Sequence, residues 1–325
     1  TTILARARHA LGEFFRLEAA GGILLIAAAA LAMLAANSPL EHAYEAFRDT
    51  PLGSGALGKS LHWWVNDGLM AVFFLLVALE IKREALSGQL SSKEQLILPL
   101  VCAVAGVAVP ALLYVAINRG DAEAMRGWAI PTATDIAFAL GVLALLGSRV
   151  PLGMKLLLST IAVADDLIAI LIIAFFYSHG LWWPALAAAA FIVAAMWWLN
   201  RRKVVSLLPY LLLGAVLWVC VLNSGVHATL AGVVTGLMIP HIDKHNAIDD
   251  EIEHSPLETL EHALHPWVAY AILPLFAFAN AGLALGGMRA SDLLAPLPAG
   301  IMLGLVIGKP VGIVGIALVM RATGL

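Results

Sequence analysis

The chain has 325 residues, of which 61% are hydrophobic and only 13% are charged, with a formal net charge of −3. Soluble domains carry about 25% charged residues, so a water-soluble globular protein is excluded. The sequence has no basic patch, which argues against nucleic acid as a partner. The mean hydropathy of +0.91 is spread along the chain, which predicts a single membrane domain over residues 1–325.

Apolar runs of about 20 residues recur along the chain, the length at which a helix crosses roughly 30 Å of hydrocarbon. Because the backbone must satisfy its own hydrogen bonds in a bilayer, such runs are helices. The predicted fold class is therefore all-α, a polytopic transmembrane helix bundle. The ten predicted spans, in chain order, are 18–36, 63–81, 96–117, 128–147, 154–177, 182–199, 205–222, 226–240, 263–285 and 298–319.

Two connectors between the predicted spans are long. The loop 37–62 contains Gly53-Ser54-Gly55, which favours a small hairpin, and the acidic loop 241–262 is interpreted as a solvated connector. Lys and Arg residues concentrate in the connectors on one side of the bundle, and that side is cytoplasmic by the positive-inside rule. The rule places both termini and the loop 241–262 in the cytoplasm, and the loop 37–62 on the outer side.

Four ionisable residues lie near the middle of predicted spans. They are Asp135, Asp165, Asp166 and Lys309. Each costs about 2.5–3.5 kcal/mol to insert at a helix centre, so together they cost on the order of 10 kcal/mol before any pairing. Such charges must be offset by mutual pairing or by contact with water, and they usually mark a transport path.

Asp165 and Asp166 are adjacent, with apolar residues for several turns on either side. Neighbours on a helix point about 100° apart, so both can border one cavity. Carboxylates this close repel and titrate as a coupled pair. A pair that can hold protons or a cation, but not both, is what an ion exchanger needs. The alternative is that the helix end is misplaced by a turn and both aspartates lie in interfacial water.

Asp135 follows Pro131 and Thr134 in the predicted fourth span. Proline removes a backbone donor and interrupts the helix, and the freed carbonyls and half-helix ends can bind ions. The alternative is a plain proline kink with a capping pair formed by Thr134 and Asp135.

Lys309, in Gly308-Lys309-Pro310, is expected to pair with Asp165 or Asp135, because an unpaired ammonium would be costly there. The alternative is snorkelling to the membrane interface. The same span carries a small-residue ridge that allows a neighbouring backbone to approach closely and would bring Lys309 near the aspartates. The ridge consists of Gly300, Gly304, Gly308 and Gly312.

A second group of titratable residues lies at the ends of predicted spans. Glu80, Arg83 and Glu84 have helical neighbour spacing, so a structural ion network and a pH sensor are equally good interpretations. His227 opens the eighth span and is interpreted first as a satisfied polar histidine. The stretch 261–265, with Glu261, His262 and His265, lacks the His-Glu-x-x-His order of a zinc site, so it is interpreted as a titrating helix end.

The sequence offers little to suggest an enzyme. It contains no glycine-rich phosphate loop and no nucleophile–base pair, so no cofactor is expected. Asp165 and Asp166 are poorly placed to act as the carboxylates of an intramembrane protease, because those carboxylates must face one water and usually come from different helices.

Several motifs resemble those of the bacterial NhaA Na⁺/H⁺ antiporters, and the resemblance runs from about residue 13 to the end of the chain. The motifs are residues 127–141 (GWAIPTATDIAFALG), 164–167 (ADDL), 227–232 (HATLAG), 265–270 (HPWVAY) and 308–310 (GKP). The resemblance implies an inverted-repeat architecture with an interrupted fourth helix, and a place in the bacterial inner membrane with the loop 37–62 in the periplasm.

The same resemblance assigns roles to the intramembrane residues. Asp166 would be the main ligand of Na⁺ or Li⁺ and Asp165 its partner in exchange, while Lys309 would pair with Asp165 and balance the broken helices. Thr134 and Asp135 would belong to the interrupted helix. Glu80, Glu84, Glu261 and His227 match positions implicated in pH response, and Arg83, His262 and His265 complete that set of candidates.

The implied mechanism is pH-regulated, electrogenic alternating access, with two protons entering for each Na⁺ or Li⁺ that leaves. Members of the family often form homodimers through the loop 37–62. The family normally has twelve spans, so this chain is expected to lack the last two. It also has Glu258 where a basic residue is expected. Two alternatives stay open: a truncated, non-transporting fragment or scaffold, and a Na⁺-coupled symporter of an organic anion.

Overall fold

The structure is a computed structural model that describes residues 20–55, 58–87, 93–134, 139, 146, 149–177, 180–242, 255–289 and 291–323. In this part of the chain nearly all regular structure is helical, as the hydropathy predicts. The one sheet found among the described residues is a two-stranded hairpin, with β1 (Pro51–Leu52) antiparallel to β2 (Lys59–Ser60).

The helices of the first half are α1 (Ala20–Ala36), α2 (Glu41–Asp49), α3, α4 (Lys93–Ile117) and α5 (Leu152–Phe176). Helix α3 is composite, with a first turn at Leu61–Trp63, a π-helical segment at Trp64–Leu69 and a long α-helical part at Met70–Ser87. Two short 3₁₀ turns, Ala124–Gly127 and Ile130–Thr132, follow α4.

The helices of the second half are α6 (Trp183–Arg201), α7 (Leu207–Leu222), α8 (Leu230–Met238), α9 and α10. Helix α9 consists of Pro256–Trp267, a π-helical segment Val268–Ile272 and Leu273–Ala281. Helix α10 consists of Pro296–Leu303, a π-helical segment Gly304–Gly308 and Lys309–Thr323, after a 3₁₀ turn at Asp292–Leu294. Short π-helical segments of this kind are frequent at functional sites.

Five described helical segments are long and apolar enough to cross a membrane. They are Leu61–Leu86, Ile97–Ile117, Trp183–Arg201, Pro256–Ala281 and Pro296–Thr323. Helices α1 and α2, which are bent by 116° at their junction, pass the same test as one broken span. The predicted fold class, an all-α membrane bundle, is confirmed, and the number of ten spans stays a prediction.

The helices pack in two groups that meet at α3 and α5. In the first group α3 packs against α8, α8 against α7, and α7 against α6, while α1 packs against the last part of α9. In the second group α4 packs against both α5 and α10. The α3–α8 contact is especially close, since a Cβ at Gly232 would lie 2.0 Å from the carbonyl oxygen of Ala71.

The loop 37–62 is shorter and more ordered than predicted. It contains α2 as well as the hairpin that the glycines favour, and α3 begins at Leu61. Gly53 and Gly55 have φ values of 86° and 63°, which glycine adopts without the steric cost that other residues carry. Tyr44 of α2 is buried and donates a hydrogen bond to the carbonyl of Phe278 at 2.7 Å, so the loop is attached to α9.

Two predicted helix starts are wrong. Helix α8 begins at Leu230 instead of 226, because Gly225 has a φ of 83° and the segment that follows it forms turns. Helix α9 begins at Pro256 instead of 263, so the connector predicted to run to 262 ends earlier. Proline is well suited to the first helical position, and Leu257 and Leu260 are buried on this first turn, although the surrounding acidic residues suggest a loop.

The predicted fourth span, 128–147, does not begin as an α-helix. The 3₁₀ turn Ile130–Thr132 ends at Ala133, whose φ of −68° and ψ of 148° are extended. The backbone is thus interrupted next to Pro131, where an interruption is predicted. Asp135 lies outside the described residues.

Candidate cation site

Asp165 and Asp166 lie in the middle of α5, far from either end of the helix. Both are buried, with 2% and 8% of their surface exposed. This burial argues against the alternative that the pair lies in interfacial water, where a carboxylate would keep its hydration. Burying two carboxylates is costly unless they are paired and hydrogen-bonded.

Lys309 supplies the pairing for Asp165. Its side chain is buried, and its Nζ lies 2.6 Å from Oδ2 of Asp165. The ammonium also donates a hydrogen bond to the carbonyl oxygen of Thr132, while the hydroxyl of Thr134 donates to the same Oδ2 of Asp165. Of the two partners expected for Lys309, the structure places Asp165 next to it, and Lys309 does not snorkel.

The second carboxylate oxygen of Asp165 is in a different situation. Oδ1 is buried and, within the part of the chain that the structure describes, has no hydrogen-bond partner. A buried polar atom without a partner costs about 1–3 kcal/mol, and more if it is charged. Hard cations prefer oxygen ligands. Oδ1 of Asp165, beside the buried carboxylate of Asp166, is therefore a candidate ligand atom for a small cation.

The interrupted backbone at residues 130–134 supplies the remaining polar groups. Thr132 has its own hydroxyl bonded to the carbonyl of Ala129 at 2.7 Å, and its carbonyl is free to accept from Lys309 because Ala133 is extended. The carbonyl of Thr132 is a site atom that the sequence interpretation did not name. Pro131 predicts an interruption here, but a proline frees a carbonyl that precedes it in the chain, so the proline does not by itself point to the carbonyl of Thr132.

The glycine ridge of α10 brings Lys309 to the cation site. A Cβ at Gly304 would lie 2.7 Å from Cβ of Pro131, and one at Gly308 would lie 3.0 Å from Cα of Pro110. A Cβ at Gly312 would lie 2.5 Å from the carbonyl oxygen of Ala105. Only hydrogen fits at these contacts, so α10 lies directly against α4 and the Pro131 turn. The π-helical segment ends just before Lys309.

A separate ion network joins α3 and α9. Arg83 Nη2 lies 3.3 Å from Oε1 of Glu84, and Arg83 Nε lies 3.0 Å from Oε2 of Glu261. Glu80 interacts electrostatically with all three of these residues. Glu261 is buried, whereas the side chain of Arg83 is 39% exposed. The structure therefore joins pH-response candidates that lie far apart in the sequence.

The histidine candidates are all exposed. His262 lies on α9 with Nδ1 2.6 Å from the carbonyl oxygen of Glu258, and both His262 and His265 interact electrostatically with Glu261. His227, in the turn before α8, interacts with Asp67 at the opposite end of α3 from the Arg83 network. His227 is thus not part of the same network.

The amino-acid sequence of the chain is similar to those of known Na⁺/H⁺ antiporters. The chain matches the Na⁺/H⁺ antiporter 1 family over residues 12–325. It is 56% identical over 308 residues to the Na⁺/H⁺ antiporter NhaA of Pseudomonas putida (strain GB-1), covering 94% of this chain and 77% of the relative. It is also 56% identical over 323 residues to the protein of the same name from Rhodospirillum rubrum, covering 98% and 80%.

A third relative, the Na⁺/H⁺ antiporter NhaA of Vibrio campbellii, is 55% identical over 301 residues, covering 93% of this chain and 74% of the relative. These matches extend over nearly the whole chain. The matches do not bear out the expectation that the chain lacks the last two helices of the family. That expectation stays a prediction.

Proposed function

Because the chain belongs to the Na⁺/H⁺ antiporter 1 family and is a multi-pass integral membrane protein, we propose that it exchanges cytoplasmic Na⁺ or Li⁺ for external H⁺. The observation that carries the proposal is the buried Asp165–Lys309 pair, together with Oδ1 of Asp165, which has no hydrogen-bond partner among the described residues. The proposed location is the bacterial inner membrane, with both termini in the cytoplasm.

The proposed mechanism is competition for the same oxygen atoms. Protons bound to Asp165 and Asp166 remove the negative charge that a dehydrated Na⁺ requires, so proton release must precede cation binding. Lys309 keeps Asp165 from being a lone buried charge, which would otherwise be strongly destabilising. If two protons exchange for one Na⁺, one net charge crosses per cycle, and the membrane potential contributes about 2.3 kcal/mol per 100 mV.

The helix packing supports alternating access as the way in which the site changes sides. Helices α5 and α10, which carry Asp165, Asp166 and Lys309, both pack on α4. The interrupted turn at Pro131 contacts α10 at Gly304. In the proposal these parts move as one body against the group formed by α3, α7 and α8, and the cation site is exposed to each side in turn.

The Arg83 network is the proposed site of pH regulation. One half-exposed arginine neutralises the buried Glu261 and also contacts Glu84. A change of protonation in this network alters the electrostatic attraction between α3 and α9 and so controls the movement of these helices. The hairpin loop 37–62 is the proposed homodimer contact, on the basis of the family resemblance.

Everted membrane vesicles that contain the full chain test the proposal. Addition of Na⁺ or Li⁺ to respiring vesicles should release protons from the lumen, as reported by a fluorescent ΔpH probe. Asp166→Asn should abolish this signal. Asp292→Asn, which changes an exposed aspartate in the turn before α10, should retain it. A wild-type chain without any Na⁺-induced signal would favour the scaffold, and uptake of an organic anion with Na⁺ but without proton movement would favour the symporter.

A further inference from the structure

A partly open pocket lies between α3, α7 and α8, next to the β1–β2 hairpin. It is a cavity of about 550 Å³, here called the α3–α7–α8 cavity. Its volume is within the range of about 300–1,000 Å³ in which proteins bind small molecules. Among the described residues, its lining includes none of those assigned to the cation site or the Arg83 network.

The described lining has almost no polar group available to a ligand. Trp64, Trp218 and Thr235 are the lining residues with polar side-chain atoms. Trp64 Nε1 donates to the carbonyl of Leu52 at 3.3 Å, Trp218 Nε1 donates to that of Asp67 at 3.0 Å, and the Thr235 hydroxyl donates to that of Ala231 at 2.7 Å. Apolar cavities of this kind do not hold water well, so hydrocarbon is the occupant that fits.

The walls of the cavity are fixed by aromatic stacking and by close helix packing. The indole rings of Trp64 and Trp218 are stacked with centroids 5.8 Å apart, and their hydrogen bonds to backbone carbonyls fix both rings. The lining glycines hold the helices close together, since a Cβ at Gly232 would lie 2.0 Å from the carbonyl oxygen of Ala71 and one at Gly214 would lie 2.7 Å from Cγ2 of Thr235. The space therefore results from the packing of the three helices and does not depend on one mobile side chain.

A positive charge stands at the hairpin end of the cavity. Leu52 lines the cavity, and Lys59 is its direct cross-strand partner in the hairpin. Side chains of directly opposed residues lie on the same face of an antiparallel pair, so Lys59 is on the cavity side of the hairpin. Lys59 is exposed, and tryptophan side chains such as Trp64 are typical of the membrane interface.

We propose that the α3–α7–α8 cavity binds one acyl chain of an anionic phospholipid from the surrounding membrane, with the lipid phosphate at Lys59. The membrane supplies hydrocarbon chains at very high local concentration, and a chain in the cavity restores the packing contacts that an empty cavity lacks. The headgroup phosphate is attracted to a lysine at the membrane surface. This binding site is independent of the proposed transport activity.

Native mass spectrometry of the full, delipidated chain in detergent tests the proposal. The probes are phosphatidylglycerol and phosphatidylcholine with identical acyl chains. Ala215→Trp places an indole in the cavity from an exposed position on α7, and Val216→Trp, at the adjacent exposed residue that does not line the cavity, is its matched control. Lys59→Gln removes the charge, and Arg119→Gln is the control for loss of an exposed cation.

The wild-type chain should retain one phosphatidylglycerol, and Ala215→Trp should lose it while Val216→Trp keeps it. Lys59→Gln should weaken phosphatidylglycerol about fivefold, the effect of one lysine near a phosphate, and leave phosphatidylcholine unchanged. Circular dichroism of each variant identifies any loss of folding. The proposal is overturned if Ala215→Trp retains the lipid, if only detergent is bound, or if Lys59→Gln affects both lipids equally.

Discussion

The cation site and the α3–α7–α8 cavity lie in the same helix bundle but differ in whether their polar side-chain atoms are hydrogen-bonded to the protein itself. At the cation site, Asp165 keeps a buried oxygen that has no partner among the described residues. In the cavity, the polar side-chain atoms of Trp64, Trp218 and Thr235 are all bonded to carbonyls of the protein itself. An unsatisfied buried oxygen attracts a cation, whereas a fully satisfied wall accepts only hydrocarbon.

The cation site and the cavity also differ in the role of the irregular backbone beside them. Next to the cation site, the extended Ala133 frees the carbonyl of Thr132 for the ammonium of Lys309. Beside the cavity, the carbonyl of Asp67, in the π-helical segment Trp64–Leu69, accepts a hydrogen bond from the indole of Trp218. The first break stabilises a charge in the bundle, and the second positions an aromatic wall.

The largest expected effect comes from removal of the lysine at the cation site. Lys309→Met leaves the Asp165 carboxylate buried and unpaired, which should lower the free energy of unfolding by about 3–5 kcal/mol. Lys82→Met should cost less, because the partners of Lys82 within the described ranges are neutral carbonyls, those of Leu237 and Ile239. Unfolding in mixed SDS and mild detergent, followed by circular dichroism, measures both.

The double variant Asp165→Asn with Lys309→Met sharpens this prediction. It removes both charges, so most of the lost stability should return, although Na⁺-induced proton release should not. Equal unfolding free energies for the wild type and Lys309→Met would contradict the interpretation of a buried ion pair.

A smaller effect is expected when the threonine beside Asp165 is replaced by valine. Thr134→Val removes a hydrogen bond to a charged acceptor, worth about 1.5–3 kcal/mol. In the described part of the chain, the Thr134 hydroxyl and Lys309 are the two groups that bind Oδ2 of Asp165. The apparent Na⁺ affinity in everted vesicles should therefore fall about tenfold, the factor that 1.4 kcal/mol produces.

Thr235→Val is the matched change in the cavity. Its hydroxyl bonds to the carbonyl of Ala231 in its own helix and does not contact Asp165, so the apparent Na⁺ affinity should stay at the wild-type value. If the two valine variants lower Na⁺ affinity to the same extent, the difference between the regions does not lie in their polar groups.

The smallest predicted effect concerns the Arg83 network. Arg83→Gln removes the cation that favours the ionised carboxylates of Glu84 and Glu261. The pH at which Na⁺-induced proton release begins should therefore move upward, by up to about one unit for a half-exposed arginine. The pH profile in everted vesicles measures the shift, and Arg321→Gln, an exposed arginine at the end of α10, should leave the profile in place.

Much of the cation site could be predicted from the sequence because its signals are local. Asp165, Asp166 and Lys309 stand out because a charge within an apolar run is costly wherever the helix packs. Pro131 predicts the interruption, and the spacing of the glycines in α10 predicts a close helix contact. The α3–α7–α8 cavity has no such signal, since apolar residues at Val72, Leu211 and Leu69 look like those of any membrane helix.

By itself, the sequence determined that this protein is an all-α membrane bundle, since runs of about 20 apolar residues have no other stable form in a bilayer. It also singled out Asp165, Asp166 and Lys309 as charges within the bundle, and the structure has all three buried. Only the tertiary structure decided that Lys309 pairs with Asp165, that Arg83 joins Glu84 to Glu261, and that α9 begins at Pro256. Partner choice depends on where helices cross, and a crossing is set by packing between segments that are distant in the chain.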